Sequence, residues 1–255
     1  IVAIQGAGMH AGYFDAMTAP GLSLLELGSS LGFMVWAPDR PGIGASADLP
    51  DERVVLFPQA ALLLDAIDAF TSEHGCGGGV FLVGHSYGLK VALTMAADER
   101  GREVLGIDGS GSGIRFALSF EGGSRTAPLA EGDRGPAWGP TDVYPPSSFE
   151  RGSLPFHEMP AVQVAESSRW ADDLRGFGSS ITAPVRFTFG EHEGYWPTDQ
   201  AHFDEIRAAL PNVAEFSAHI ERRVGHNVSL GYAARSYHLR AIAFAEQCLL
   251  ARSLA

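Results

Sequence analysis

Lysine is almost missing from this sequence: Lys90 is the single one in 255 residues, and arginine carries the rest of the basic charge. The simplest reading is codon bias of the kind a GC-rich genome produces, which would also favour the many alanines and glycines. Positive charge is scarce altogether. Eighteen Lys and Arg face thirty Asp and Glu, for a formal net charge of −12. That balance argues against a nucleic-acid partner, which needs a basic footprint, and against docking on an anionic membrane surface. No apolar run is long enough to span a bilayer, and no signal peptide is visible, so a cytoplasmic location is expected. Cysteine is nearly absent too. Cys76 and Cys248 are far apart and form no CxxC pattern, so they read as free thiols in a reducing compartment. The nine histidines show no HExxH or similar zinc spacing, and no metal or organic cofactor is implied. The chain opens on Ile1 rather than Met, which reads as a missing natural beginning.

What is present is apolar and patterned. Hydrophobic residues make up 45 % of the chain, enough to bury a sizeable core in one large α/β domain or two small ones. Short apolar runs at Ile1–Gln5, Gly32–Asp39, Val80–Val83, Glu103–Gly111, Ala183–Glu193 and Ala214–Ile220 read as strands. Between them, Pro58–Phe70, Tyr87–Ala97 and Gly231–Leu254 carry helical spacing or composition. Strands alternating with helices predict an α/β fold, a mostly parallel central sheet flanked by helices. In such sheets ligands sit outside the carboxyl ends of the strands.

Residues 114–180 break that rhythm. They are rich in Gly, Pro and Ser, with scattered aromatics: Phe116, Phe120, Trp138, Tyr144, Phe149, Phe156 and Trp170. A structureless loop of this length is rare in a compact domain. The stretch reads as an inserted cap or lid, most helical over Glu158–Leu174, on a core made of residues 1–113 and 181–255. No internal repeats occur.

The chemistry is concentrated at Gly84-His85-Ser86-Tyr87-Gly88, a G-x-S-x-G after a strand and before a helix. A turn so tight leaves no room for Cβ atoms two positions either side of the serine and forces the serine into a strained backbone conformation. In return its hydroxyl stands exposed at the amino end of a helix, where negative charge is favoured. A serine hydroxyl needs a base, and the base needs an orienting acid. Later in the chain His226 lies in "VGHNVSL", and Glu191 and Glu193 lie in "FTFGEHE". The order nucleophile, acid, histidine is that of the α/β-hydrolases rather than of chymotrypsin or subtilisin.

With these residues the sequence resembles the α/β-hydrolase superfamily over nearly all the chain outside residues 114–180. Four landmarks carry the likeness: "QGAG" after the first strand, "DRPGIGAS" after the second, "GHSYG" at the turn and "GHN" near the end. Together they are specific for the superfamily and weak for any one activity. The family's G-x-x-D aligns with Gly190-Glu191-His192-Glu193, which makes Glu193 the first choice of acid, Glu191 the second, and Asp108, after an earlier strand, the third. The resemblance also implies an oxyanion hole from the backbone N–H groups of Ala7 and Tyr87. Gln5 stands where relatives carry His, and Leu89 where many carry Gly. Two antiparallel strands that open most relatives have no counterpart.

The implied activity is hydrolysis of an ester or thioester of a mostly apolar small molecule through an acyl-enzyme. Ser86 is the nucleophile, His226 the base and Glu193 the acid. Lactonases, carbon–carbon bond hydrolases, cofactor-free haloperoxidases and acyltransferases share that triad, and fold does not choose among them. A non-catalytic small-molecule binding protein on the same shell is the alternative from another class. Met9, His10, Trp138, Phe149 and Trp170 are candidates for the substrate pocket. Asp39 and Arg40 are read as residues that hold loops together, and Arg222 with Arg223 as a solvated pair or a phosphate contact. Lys90, one helical turn after Ser86, faces the site or is structural. The oligomeric state is open.

Overall fold

The structure is a computed structural model and describes residues 1–15, 18–117, 134–150 and 159–254. The sheet is built from five strands: β1 (Val2–Ile4), β2 (Phe81–His85), β3 (Gly106–Ser110), β4 (Val185–His192) and β5 (Phe216–Gly225). They lie side by side in chain order, and every neighbouring pair is parallel. Apolar side chains on the strands alternate between two core clusters. Ile4, Leu82 and Ile107 join one; Ala3, Phe81 and Val83 join the other. A sheet apolar on both faces needs helices on both. On one face lie α2 (Leu56–His74), α3 (Tyr87–Ala97), α5 (Trp170–Phe177) and α6 (Gln200–Ala209), and on the other α1 (Leu24–Ser30) and α7 (Ala234–Ser253). This is the α/β architecture that the alternation predicts.

One expected strand is nearly lost. Over Gly32–Asp39 the chain pairs with β1 only through the Val2–Trp36 bridge. There Ala3 N donates to Trp36 O (2.8 Å) and Trp36 N donates to Ile1 O (2.9 Å). A three-residue partner leaves little to pair with, and Pro38 has no N–H to extend the ladder. That single bridge still sets the topology. From β1 the chain passes outward to Trp36 and then returns to β2 on β1's other side, so the order reverses at β1. A crevice opens at such a reversal, at the carboxyl ends of the strands.

Local signals explain the helices. Leu56, Ala60, Leu63, Leu64 and Ile67 form the buried stripe of α2, which runs beyond the expected Pro58–Phe70 because a proline is tolerated in a first turn. Helices α1 and α6, absent from the sequence expectations, carry ordinary start signals. Ser23 Oγ accepts from Glu26 N (3.0 Å) and Asp199 Oδ1 from His202 N (2.9 Å). Of the expected helical stretch Glu158–Leu174, α4 (Ala161–Glu166) and the first part of α5 are formed, joined by a short 3-10 turn. Glu158, Phe120 and Phe156 lie outside the described residues. No helix among the described residues is long and apolar enough to cross a membrane. Cys76 is exposed, Cys248 buried, and both are free.

Candidate active site

The turn between β2 and α3 carries Ser86 at φ 51°, ψ −118°, one of two non-glycine residues with positive φ among those described. Glycines make this geometry possible. A Cβ on Gly84 would lie 2.6 Å from Leu89 Cα, and one on Gly88 would lie 2.6 Å from Gln5 O and collide with Ile4 O. These obstacles are backbone atoms and cannot step aside. The same closeness sets the β1 loop against the turn, where a Cβ on Gly6 would meet Ser86 Cβ at 3.2 Å. Ala7 and Tyr87 both line the cavity above Ser86. Neither backbone N–H has an acceptor among the described residues, as expected for Tyr87 at the start of a helix.

Arg40 fixes the β1 loop from behind. Its guanidinium is fully buried, donating to Gln5 O (2.8 Å), Gly6 O (3.0 Å) and Gln59 Oε1 (2.6 Å), and lies 4.8 Å above the centre of the Tyr87 ring. Burial lowers its pKa to about 10, which leaves it charged. Gln5 completes the brace with its amide oriented to donate to Pro38 O (3.0 Å) and accept from Arg40 N (2.8 Å). Asp39 Oδ1 accepts from Ala11 N (2.7 Å). Both members of the Asp39–Arg40 pair therefore tie loops together.

His226 follows β5 and lines the same cavity as Ser86. Its Nδ1 lies 3.0 Å from each carboxylate oxygen of Glu193, whose side chain is fully buried. A carboxylate only accepts, so Nδ1 carries the proton and Nε2 is left as an acceptor. Glu193 is held in turn by Tyr195 N, which donates to Oε1 (3.0 Å). The His226 ring packs between Tyr195 (4.7 Å between centroids) and His85 (4.8 Å). His85 lies behind, stacked on Tyr13 (4.4 Å), with Nδ1 3.1 Å from Ser110 Oγ. Burial first, and the neighbouring His226 second, hold His85 well below the usual histidine pKa, so it stays neutral. No hydrogen bond joins Ser86 to the His226 ring in this structure.

The other two carboxylates go elsewhere. Glu191 is exposed and accepts from Arg223 N (2.8 Å). Asp108 is fully buried and ion-paired with Arg186; desolvation raises its pKa to about 6 against that partner's pull. Among the pocket candidates, Met9 and Trp138 line the cavity. His10 caps a 3-10 turn by accepting from Gly12 N (3.0 Å), Phe149 packs on Trp138 (5.1 Å), and Trp170 donates to Gly113 O (2.7 Å); these three are not in the lining. Lys90 does face the site. So do Tyr195 and Trp196, which the sequence reading missed although they stand two and three residues after Glu193 in "EHEGYWP". The cavity encloses about 900 Å³, with Phe116, Met159, Val164 and Ala165 among its apolar walls. Among the described residues, no group of three or more His, Cys, Asp or Glu could hold a metal ion.

The sequence model of the Alpha/beta hydrolase family matches residues 1–237. Among solved structures, the fold is similar to a monoacylglycerol lipase of Paleococcus ferrophilus (19 % identity, 97 % of this chain and 93 % of that one, TM-score 0.63). It is also similar to a soluble variant of the Saccharomyces cerevisiae monoglyceride lipase (15 %, 97 % and 85 %, 0.66). A third likeness is to a lipase-esterase related protein of Clostridium acetobutylicum (15 %, 95 % and 93 %, 0.61). At these identities the likeness is one of fold. A search of curated protein sequences gave no match.

Proposed function

The chain belongs to the alpha/beta hydrolase family, and from that premise we propose that it is a serine hydrolase cleaving a carboxylic ester or thioester through an acyl-enzyme. Ser86 Oγ attacks the substrate carbonyl while its proton passes to His226 Nε2. Glu193 holds the ring in the productive tautomer and supports the imidazolium that forms. The Ala7 and Tyr87 N–H groups take the negative charge that develops on the carbonyl oxygen. As the tetrahedral species collapses, the bond to the leaving group breaks and His226 returns the proton to it. Water, deprotonated by the same histidine, then releases the acid. Residues 114–180 act as the cap over a mostly apolar substrate, contributing Phe116, Trp138, Met159 and Val164 to the wall.

The observation that carries this reading is the His226–Glu193 contact in the wall of the cavity that also holds Ser86 on its strained turn. The Ser86–His226 bond is not yet made, which favours a second reading, a binding protein on a hydrolase shell. Catalytic hydrogen bonds are often loose before substrate arrives, so the hydrolase reading is preferred. A fluorophosphonate probe distinguishes the two. Mass added to Ser86, lost in Ser86→Ala, supports the hydrolase. A chain that binds apolar esters yet remains unlabelled and releases no product is the binder.

A further inference from the structure

The chain's one lysine is buried in the wall of this cavity. Lys90 is 5 % exposed, on α3 one turn beyond Ser86. Side chains on a helix lean toward its N-terminus, so Lys90 reaches back toward the turn that holds the nucleophile. Four rings surround its ammonium: Trp170 at 5.3 Å, Trp196 at 5.6 Å, and Tyr87 and Phe116 at 6.0 Å from their centroids. Aromatic faces attract a cation at this range. Yet Lys90 Nζ has no hydrogen bond and no ion pair among the described residues. The carboxylates nearest in electrostatic effect are Glu166 on α4 and Asp173 on α5. Glu166 is committed to Leu56 N (3.0 and 3.1 Å) and to the Tyr87 hydroxyl. Burial lowers the lysine's pKa to about 8, which still leaves most of it charged at neutral pH.

We propose that Lys90 is a specificity residue and that the substrate of this site carries a carboxylate beside its apolar body. A buried ammonium stabilised by rings but lacking an acceptor is incomplete until an anion meets it. The anion is a single charge: Lys90 is the one cation among the described cavity-lining residues, too little for a phosphate dianion. Net charge of −12 repels anions at a distance, so recognition depends on this local contact. The inference rests on the hydrolase reading for the identity of the reacting ester, but not for the anion site itself.

Two assays test it separately. In the first, kcat/KM is measured for matched neutral and carboxylate-bearing esters: p-nitrophenyl butyrate against mono-p-nitrophenyl glutarate, and phenyl acetate against para-acetoxybenzoate. The wild type prefers the charged member of at least one pair. Lys90→Met, which keeps the stem, lowers that preference about tenfold or more, and Lys90→Arg restores part of it. In the second, phenylbutyrate and phenylbutanol are titrated by calorimetry. Phenylbutyrate affinity falls about tenfold or more in Lys90→Met while phenylbutanol affinity holds. No charged preference in either pair, or phenylbutyrate binding unchanged by Lys90→Met, overturns the proposal. If the wild type hydrolyses none of the esters and Ser86 is not labelled, the hydrolase reading fails and the calorimetry alone decides the anion site.

Discussion

His226 Nδ1 shares its proton equally between the two carboxylate oxygens of Glu193, 3.0 Å from each. A ring held this way keeps one tautomer and one orientation. Glu193→Gln puts an amide in place of a pure acceptor and permits the wrong tautomer, so kcat falls roughly 10³- to 10⁴-fold with the fold intact. Glu191→Gln, which loses only an exposed contact to Arg223 N, changes kcat by no more than about threefold. Steady-state kinetics of both variants on p-nitrophenyl butyrate decide the matter, and equal losses would contradict this assignment of the acid.

Ser86 is held at a positive φ that a glycine adopts without strain. Ser86→Gly therefore raises stability by about 1 kcal/mol, or a few degrees in Tm, after the extra flexibility of the unfolded glycine is subtracted. It also abolishes turnover and labelling, a loss of at least about 10³-fold in kcat. Calorimetric melting alongside an ester assay reads both. A lower Tm would mean that the turn is not strained.

Gly88 has backbone oxygens of Ile4 and Gln5 where a Cβ would stand. Gly88→Ala pushes the turn away from β1 and costs about 2 kcal/mol or more, seen as a lower denaturation midpoint. It also moves Tyr87 N relative to Ala7 N, so kcat drops more than Tm alone suggests. A variant with unchanged midpoint and rate would show that α3 packs less tightly on β1 than these distances require.

Lys90 gives a pH signature. Burial lowers its folded pKa from 10.5 to about 8. Below pH 8 it is charged both folded and unfolded, and the cost of burying that charge is fully present, about 3 kcal/mol. Between pH 8 and 10.5 the unfolded chain binds more protons, so stability rises with pH across that window. Glu166 and Asp173 act on this group electrostatically and the Tyr87 ring lies near it; burial and the Glu166 bond raise the Tyr87 phenol's pKa far enough to keep it neutral throughout. Lys90→Met escapes the cost. It is more stable than the wild type at pH 7, by a margin that shrinks toward pH 10, as urea titrations at the two pH values would measure. A constant margin would rule out an ionised buried lysine.

The tight turn at Ser86 was legible because steric necessity writes itself into sequence: Gly84 and Gly88 are spaced by a collision with backbone. His226 and Glu193 were legible only as candidates. Nothing in "FTFGEHE" says that the bulge between Gly190 and His192 turns Glu193 inward and leaves Glu191 on the surface. The strand over Gly32–Asp39 failed because a strand needs a partner as long as itself, and β1 has three residues. Lys90 was ambiguous because every residue of α3 from Tyr87 to Ala96 is buried. With no solvent face, helical periodicity cannot tell a structural position from one that meets a ligand. The rings about its ammonium come from α3 itself, residue 116, α5 and the segment after β4, and only folding gathers them.

Glu166 has a mechanical consequence. Its carboxylate, on α4, binds the first amide of α2 and the hydroxyl of Tyr87, itself a cavity-lining residue. Lifting α4 would strip a buried anion of these bonds at a cost of about 5 kcal/mol. Fewer than roughly one molecule in a thousand would stand open on that side at any moment. Movement of α4 away from the chamber is thus opposed, and the wall there stays joined both to α2 and to the residue that follows Ser86.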